Sequence, residues 1–510
     1  MSDPKEIELK LVCDPSDLAA LREWPRLGAK ARRTDRLESI YFDTSERLLQ
    51  ACGYVLRVRQ TGDGYVQTVK AGGDGLIERR EWEEPVGGPE PDHDALRKTP
   101  LAKLVGKKAK FAALFAVSVE RATCLISQGS SQIEIALDQG RVTNPCAESG
   151  SDAEAISEIE LELKQGAAED LFTLAREICE RVPVRLGVVS KAERGFDLID
   201  GEGGRVHKAE PIDLSDDMSA ADAFRAIAHG CLRQLRLNED VLLDRHDMDA
   251  LHQARVAIRR LRSAMSLFKD LLADERFESI KAELKRLSEP LGRARNLDVF
   301  LSETMPAEIS RHPDQDELLN LEKHLQRLRA EAYGVVVETL RSEAWRRFLI
   351  DLVAWINTGR WLSGQDGVAC DQPARPFASG VLDKRRRQVK KRGRDLATLS
   401  IEERHQVRIA VKKLRYGAEF FASLYEGKKE HKRQKAFALV LAKLQSSLGS
   451  LNDIAAGQQL LERVAGSDVV GSVQFAAGLT LADIEAKEQK LLASAVEAHG
   501  ELIALQPFWR

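Results

Sequence analysis

The segment Glu6-Ile7-Glu8-Leu9-Lys10 sets two carboxylates and an ammonium at every second residue. On an extended strand that spacing brings all three to one face. The pattern returns along the first 200 residues. Arg57 and Arg59 alternate with Leu56 and Val58, and Lys70 follows Thr68. Arg80 lies in an acidic strand with Glu78, Trp82 and Glu84, and Arg121 ends VSVER. Glu134 and Asp138 share a face, as do Glu158, Glu160, Glu162 and Lys164, opposite Ile159, Leu161 and Leu163. Carboxylates bind hard divalent cations such as Mg2+ or Mn2+. Arg and Lys bind phosphate oxygens, Arg through two parallel bonds. One charged strand face is only a solvated face, but several such strands closed into a barrel have an inside. A lumen holding both groups suits a metal-chelated polyphosphate chain and the charge that develops in phosphoryl transfer.

A second set of residues lies far downstream. His252, Arg255, Arg259 and Arg262 are spaced 3, 4 and 3 apart, and His405, Arg408, Lys412 and Arg415 repeat that spacing. Such spacing runs along one face of a helix, while Ala254, Ile258, Leu261 and Met265 occupy another. No acidic residue occurs between 252 and 268, so the stripe repels itself unless a polyanion or distant carboxylates answer it. A third run, 383–395, holds eight Lys and Arg in 13 residues. With no repeated carboxylate or Cys beside them, the two His read with the basic stripes rather than as metal ligands.

The elements that carry these residues change type along the chain. Before residue 200 the alternation predicts strands at EIELKL, YVLRVRQ, GYVQTVK, IERREWEE, QIEIALD and SEIELELK, interrupted by a helix at 168–181. GEGGRVHKAEPID (201–213) has no periodicity and reads as a linker. After about 216 the apolar period becomes helical in 219–237, 248–273, 276–293, 315–342, 402–424, 432–451 and 473–498. Within this half HQARVAIRRLRSAMSLF (252–268) matches HQVRIAVKKLRYGAEFF (405–421), and LGRARN (291–296) matches LGSLND (448–453). The shared order predicts a duplicated helical unit with pseudo-twofold symmetry.

Composition bounds these readings. The 510 residues are 43% hydrophobic and 31% charged, enough apolar material for two domains or more. The net charge of −3 hides a split: residues 1–214 hold 30 basic and 38 acidic residues, and the remainder holds 47 and 42. Eight of the ten His follow residue 214. No run of about 18 apolar residues spans a membrane, and MSDPKEIELK lacks the apolar stretch of a signal peptide. The seven scattered Cys include no C-x-x-C and fit reduced thiols in a cytoplasmic protein.

The ordered front-half motifs resemble the CYTH domain of the triphosphate tunnel metalloenzymes. They are Glu6-x-Glu8-x-Lys10, YFDT (41–44), LRVR (56–59), TVK (68–70), ER (120–121), EIELELK (158–164) and SKAERGF (190–196). The resemblance implies an eight-stranded antiparallel tunnel with flanking helices over 1–202, acting on triphosphates with Mg2+ or Mn2+. It implies metal ligands at Glu6, Glu8, Glu158, Glu160 and Glu162. It implies phosphate contacts from Arg57, Arg59, Lys70, Arg80, Arg121 and Arg194, with Lys10 and Lys191 beside Glu6 and Glu8 in the catalytic set. The expected chemistry is metal-assisted attack of water on a terminal phosphorus, with a carboxylate as base that the sequence does not single out.

The rear half, 217–506 after a linker at 203–216, resembles a CHAD domain through its two His-x-x-Arg-x-x-x-[Arg/Lys]-[Arg/Lys]-Leu-Arg helices and paired LG segments. That resemblance implies an all-α bundle that binds inorganic polyphosphate. The residues are His252, Arg255, Arg259, Arg260 and Arg262, and His405, Arg408, Lys412, Lys413 and Arg415. The expected protein is thus a two-domain α+β inorganic triphosphatase, cytoplasmic and associated with polyphosphate granules. Its alternatives are a non-catalytic polyphosphate adaptor and a tunnel enzyme for nucleoside or thiamine triphosphate. Aromatic residues are 5%, too sparse for base stacking, which disfavours nucleic acid. Oligomeric state is open.

Overall fold

The computed structural model describes residues 5–28, 33–62, 64–72, 75–106, 109–145, 153–363, 370–465 and 485–510. Cys146, the 473–484 part of the last expected helix, and the side chains of Asn452 and Asp453 lie outside the described residues. The chain forms two compact units. One comprises residues up to Val206 together with Arg341–Thr358; the other comprises His207–Leu340 and Gly359–Arg510.

The first unit is built on nine strands: β1 (Lys5–Val12), β2 (Arg33–Asp43), β3 (Tyr54–Thr61), β4 (Gly64–Ala71), β5 (Glu78–Val86), β6 (Ala112–Gln128), β7 (Ser131–Thr143), β8 (Ala153–Gln165) and β9 (Arg185–Leu186). Their order is β5-β4-β3-β2-β6-β7-β8-β1-β9. β1 closes the ring because it pairs with β8 along Glu8–Val12 and with β5 along Lys5–Ile7. The result is the expected closed eight-stranded antiparallel barrel, with β9 added at Leu11 and Val12.

Alternation sorts the barrel's side chains. Leu9, Leu11, Ile133, Ile135, Leu137, Ile159 and Leu161 are buried on the outer face. The helix Ala168–Arg181 packs against β6 and β8 and buries Leu171, Phe172, Leu174 and Ile178. Each such side chain contributes about 1.5–3 kcal/mol. A second outer cluster of Phe42, Leu56, Val58 and Val69 packs with Leu49, Leu96 and Leu101. One stretch of the interior is also apolar: Leu37, Tyr41, Phe115, Val117, Val119, Val142 and Ile156 pack with Ala192 of the helix Lys191–Asp200. Phe115 stacks on Tyr41 at 4.7 Å and meets Phe196 edge-on at 5.2 Å. Gly195 admits this contact, since a Cβ there would lie 2.1 Å from the Phe115 ring. The rest of the interior carries the charged side chains, with Ser39 and Thr68 among them.

Among the described residues the named elements of the second unit are all helices, as expected. The duplicated helices are Met248–Leu267 and Ile401–Phe420. Asp247 caps the first by accepting from Asp249 and Ala250 N–H, and Ser400 with Glu403 forms a capping box on the second. The copies end at the equivalent residues Phe268 and Phe421, whose rings lie 5.8 Å apart. The duplication therefore meets itself in the core, where Phe268 also touches Phe377 and Phe224. Among the described residues no helix is long and apolar enough to cross a membrane.

Candidate functional site

The register brings the charged faces of the strands into the barrel. Across the β1–β8 pair Lys10 stands opposite Glu160 and Glu8 opposite Glu162; across β7–β8 Asp138 stands opposite Glu158. Arg121 of β6 faces Asp138. On the other side Lys70 of β4 faces Glu81 of β5, and Glu6 of β1 faces Arg79.

Two groups of charge result. In the first, Asp138, Glu158 and Glu160 bring carboxylate oxygens within 4.8 Å of one another. Lys10, Arg121 and Lys191 answer them. Arg121 donates to both oxygens of Asp138, Nε at 2.7 Å and Nη2 at 2.6 Å, and also to Glu160. Lys191, the first residue of its helix, lies 2.7 Å from Asp138 and 2.8 Å from Glu160 and donates to Glu158. Lys10 lies 3.4 Å from Glu158 and 3.3 Å from Glu160. Burial alone would raise Glu160, but Lys191, Arg121 and Lys10 hold it well below the usual carboxylate range. Burial likewise opposes the charge on Lys191, which Asp138, Glu158 and Glu160 restore and strengthen.

The second group lies at the β1–β5 closure. Glu6 is pushed up, first by burial and then by its hydrogen bond with Glu81; Lys70 opposes this only in part. Burial works against Glu81 too, yet Lys70, at 2.7 Å, the hydrogen bond from Glu6 and Arg57 hold it down at about 2. Glu6 thus carries the proton and donates it toward Glu81. Glu8 is pushed up by burial and then by Glu160. Among the described residues, Glu6 Oε2, Glu8 Oε1 and Glu158 Oε2 are buried with no hydrogen-bond partner. Buried carboxylate oxygens that lack a donor fit a hard divalent cation, which would replace the proton held at Glu6.

Arg57 and Arg59 complete the lumen. Arg57 is buried and reaches Thr68 at 2.9 Å, Glu83 at 3.4 Å and Glu81 at 3.6 Å. Arg59 differs: its hydrogen bond goes to Ser39 Oγ at 3.3 Å, and among the described residues it has no carboxylate partner. Burial, then Arg57 and Arg121, push it down to about 10. A half-buried guanidinium without a carboxylate partner is a ready phosphate anchor.

Not every expected residue joins. Arg80 is exposed, on the outer face of β5; Arg79 takes the inner position, opposite Glu6. Arg194 pairs with Glu154 at 2.6 Å instead of entering either group. Glu162 is taken by Lys164 at 2.5 Å. The sequence reading passed over Glu81, Glu83 and Arg79, and it gave Asp138 a face but no role. Strict alternation from Arg79 through Glu83 was the available signal, but IERREWEE carries charge on both faces.

In the helical unit the first stripe meets a further cation, Arg295 of helix Glu289–Val299. Arg255 is pushed down to about 10 by burial and then by Arg259, Arg295 and Arg262. His252 is pushed down to about 4 by burial and then by Arg295 and Arg259. Among the described residues Arg255, Arg259, Arg262 and Arg295 have no carboxylate partner, and His252 Nδ1, Arg255 Nε, Arg259 Nε and Arg295 Nη1 are buried without a hydrogen bond. Gly292 leaves room for this cluster, since a Cβ there would lie 2.8 Å from Arg255 Nη1. Arg260 does not belong to it: it turns inward, pairs with Glu419 and lies over the Phe420 ring at 5.1 Å. Lys413 of the second copy is pushed down by burial and then by Arg385, Arg392, Lys281 and Arg262, so the 383–395 run and both copies converge there. His405 is exposed, Arg415 is half-buried, and His405, Arg408 and Lys412 each engage other groups.

A closed eight-stranded barrel lined with alternating carboxylates and cations, followed by a duplicated basic helical unit, defines the class. Residues 4–196 match the family model of the CYTH domain and residues 226–462 that of the CHAD domain. The chain thus carries a CYTH domain followed by a CHAD domain. It is similar to the inorganic triphosphatase of Haemophilus influenzae, 29% identical over 198 residues, which are 38% of this chain and 54% of that protein. The chain therefore spans about half the length of that curated relative. Among solved structures it resembles the CHAD domain from the plant Ricinus communis, at 29% identity and a TM-score of 0.52, covering 60% of this chain and 98% of that one.

Proposed function

We propose that this protein is a metal-dependent triphosphatase that hydrolyses inorganic triphosphate to pyrophosphate and phosphate inside the barrel, with Mg2+ or Mn2+ as cofactor. The observation that carries the reading is the pairing of unsatisfied opposites: among the described residues, one buried oxygen each of Glu6, Glu8 and Glu158 lacks a donor, while Arg59 lacks a carboxylate. Glu6, Glu8 and Glu158 would hold a divalent cation, which supplies neutralisation of phosphate charge when bound. Arg59, Arg57 and Lys70 bind the phosphate oxygens of the substrate. Lys10, Arg121 and Lys191 pair with Glu158, Glu160 and Asp138 and hold them in place. The similarity to the Haemophilus influenzae inorganic triphosphatase supports inorganic triphosphate as the substrate.

The helical unit binds inorganic polyphosphate. Its support is the cluster of His252, Arg255, Arg259, Arg262 and Arg295, whose arginines have no carboxylate partner among the described residues. A polyanion would relieve its self-repulsion.

The test is a substrate panel. Inorganic triphosphate, ATP, thiamine triphosphate and long-chain polyphosphate are incubated with the full chain and Mg2+ or Mn2+, and phosphate release is followed. Fastest turnover of inorganic triphosphate is expected. Turnover of none would sink the hydrolase reading and leave an adaptor.

A further inference from the structure

Helix Glu343–Thr358 lies among residues matched to the CHAD model, yet Arg341–Thr358 belong to the barrel's compact unit while the flanking chain belongs to the other. Trp345, Leu352, Val353 and Ile356 on this helix are fully buried. It packs against helix Ala168–Arg181 and against β9. Asp351 pairs with Arg176 at 2.6 Å, and Arg347 with Glu180 at 3.2 Å.

What the helix rests on leads to the lumen. β9 is two residues long and its strand neighbour is β1, at Leu11 and Val12. So short a strand needs packing to stay in place. The next residue, Gly187, donates its N–H to the Lys10 carbonyl at 2.8 Å. It also touches the Lys10 stem, since a Cβ on Gly187 would lie 2.6 Å from Lys10 Cγ. At the end of that stem the ammonium stands 3.4 Å from Glu158 and 3.3 Å from Glu160.

We propose that helix Glu343–Thr358 is a positioning element of the tunnel: it holds β9, and β9, through Gly187, fixes Lys10 between the carboxylates of β8. The partner of the barrel's outer surface is thus a segment of this same chain, more than 130 residues downstream of the barrel's last helix. What Lys10 does for the reaction rests on the triphosphatase reading; what holds it does not.

The experiment uses the full chain in three forms besides wild type: Arg176→Asp, Asp351→Arg, and the double swap. Amide exchange at Leu186, Gly187 and Val188 reports β9, and kcat and KM for triphosphate report Lys10. Each single variant is expected to speed exchange there about fivefold, the effect of losing one ion pair. Each should lower kcat about threefold to tenfold with KM changed less than about twofold. The double swap should restore both to within about twofold. Gly187→Ala, which leaves the helix untouched, should lower kcat about tenfold or more by displacing the Lys10 stem. Unchanged exchange and kcat in the single variants, or a double swap that restores neither, would overturn the inference. So would an unaffected kcat in Gly187→Ala. If wild type releases no phosphate, the hydrolase reading fails, and the exchange data still decide whether the helix holds β9.

Discussion

Glu6 and Glu81 are hydrogen-bonded across the seam where β1 and β5 close the barrel, and Lys70 reaches both, at 3.9 Å and 2.7 Å. That arrangement leaves Glu6 holding a proton that a divalent cation can replace. Glu6→Gln keeps the shape and hydrogen bond but cannot supply the negative charge that a divalent cation requires. We expect Glu6→Gln and Glu8→Gln each to lower kcat/KM about 100-fold or more. Rates across a Mg2+ or Mn2+ titration check this, and only partial recovery at high metal is expected.

Arg59 is a lumen cation without a carboxylate partner among the described residues. Arg59→Ala should therefore cost substrate binding rather than folding. A charge-assisted hydrogen bond of about 1.5–3 kcal/mol corresponds to about a tenfold to hundredfold loss of kcat/KM. Steady-state kinetics beside a thermal melt test it; a large fall in Tm would count against the assignment.

Arg260 pairs inside the helical unit with Glu419, although adjacent Arg259 belongs to the basic cluster. Arg260→Met should destabilise the protein by about 1–3 kcal/mol while polyphosphate affinity changes less than about twofold. Arg255→Gln should do the reverse, weakening affinity and lowering the salt slope by about 1. Denaturant melts and binding isotherms at several salt concentrations separate the two.

His252 is held down at about 4 by burial and then by Arg295 and Arg259, against an ordinary value of 6.5. Between those values the folded state binds fewer protons than the unfolded state. Stability is therefore fully present above 6.5 and lost as pH falls through the window toward 4. His252→Gln should show a smaller loss of Tm between about pH 7 and 5 than wild type. An equal loss in both proteins would remove His252 from the account.

Gly195 lets the helix Lys191–Asp200 settle on Phe115. Gly195→Ala overpacks that contact, and the expected cost is about 1–3 kcal/mol, read from the denaturant midpoint.

Much of the tunnel was legible because its inner face is charged and its outer face apolar. That contrast made Glu6, Glu8 and Lys10, and Glu158, Glu160 and Glu162, readable as faces before any fold was known. β2 and β6 were not readable in the same way. In β6, Phe115, Val117 and Val119 face the apolar part of the interior while Ala122, Cys124 and Ile126 are buried on the opposite face, so hydropathy does not alternate. Arg79 and Arg80 are neighbours in a strand charged on both faces, and only the pairing of Glu6 with Arg79 separates them. Arg259 and Arg260 pose the same problem on a helix, where 100° of rotation turns one to the cluster and one to Glu419. Helix Glu343–Thr358 carries no local mark of belonging with the barrel, because its helical period resembles that of its neighbours; only tertiary packing assigns it.

The central claim is tested most directly by the products. Wild-type protein with Mg2+ and inorganic triphosphate should release phosphate and pyrophosphate in equal amounts, and Glu8→Gln should release almost none under the same conditions. Equal rates from the two proteins, or no release from wild type with either Mg2+ or Mn2+, would contradict the account.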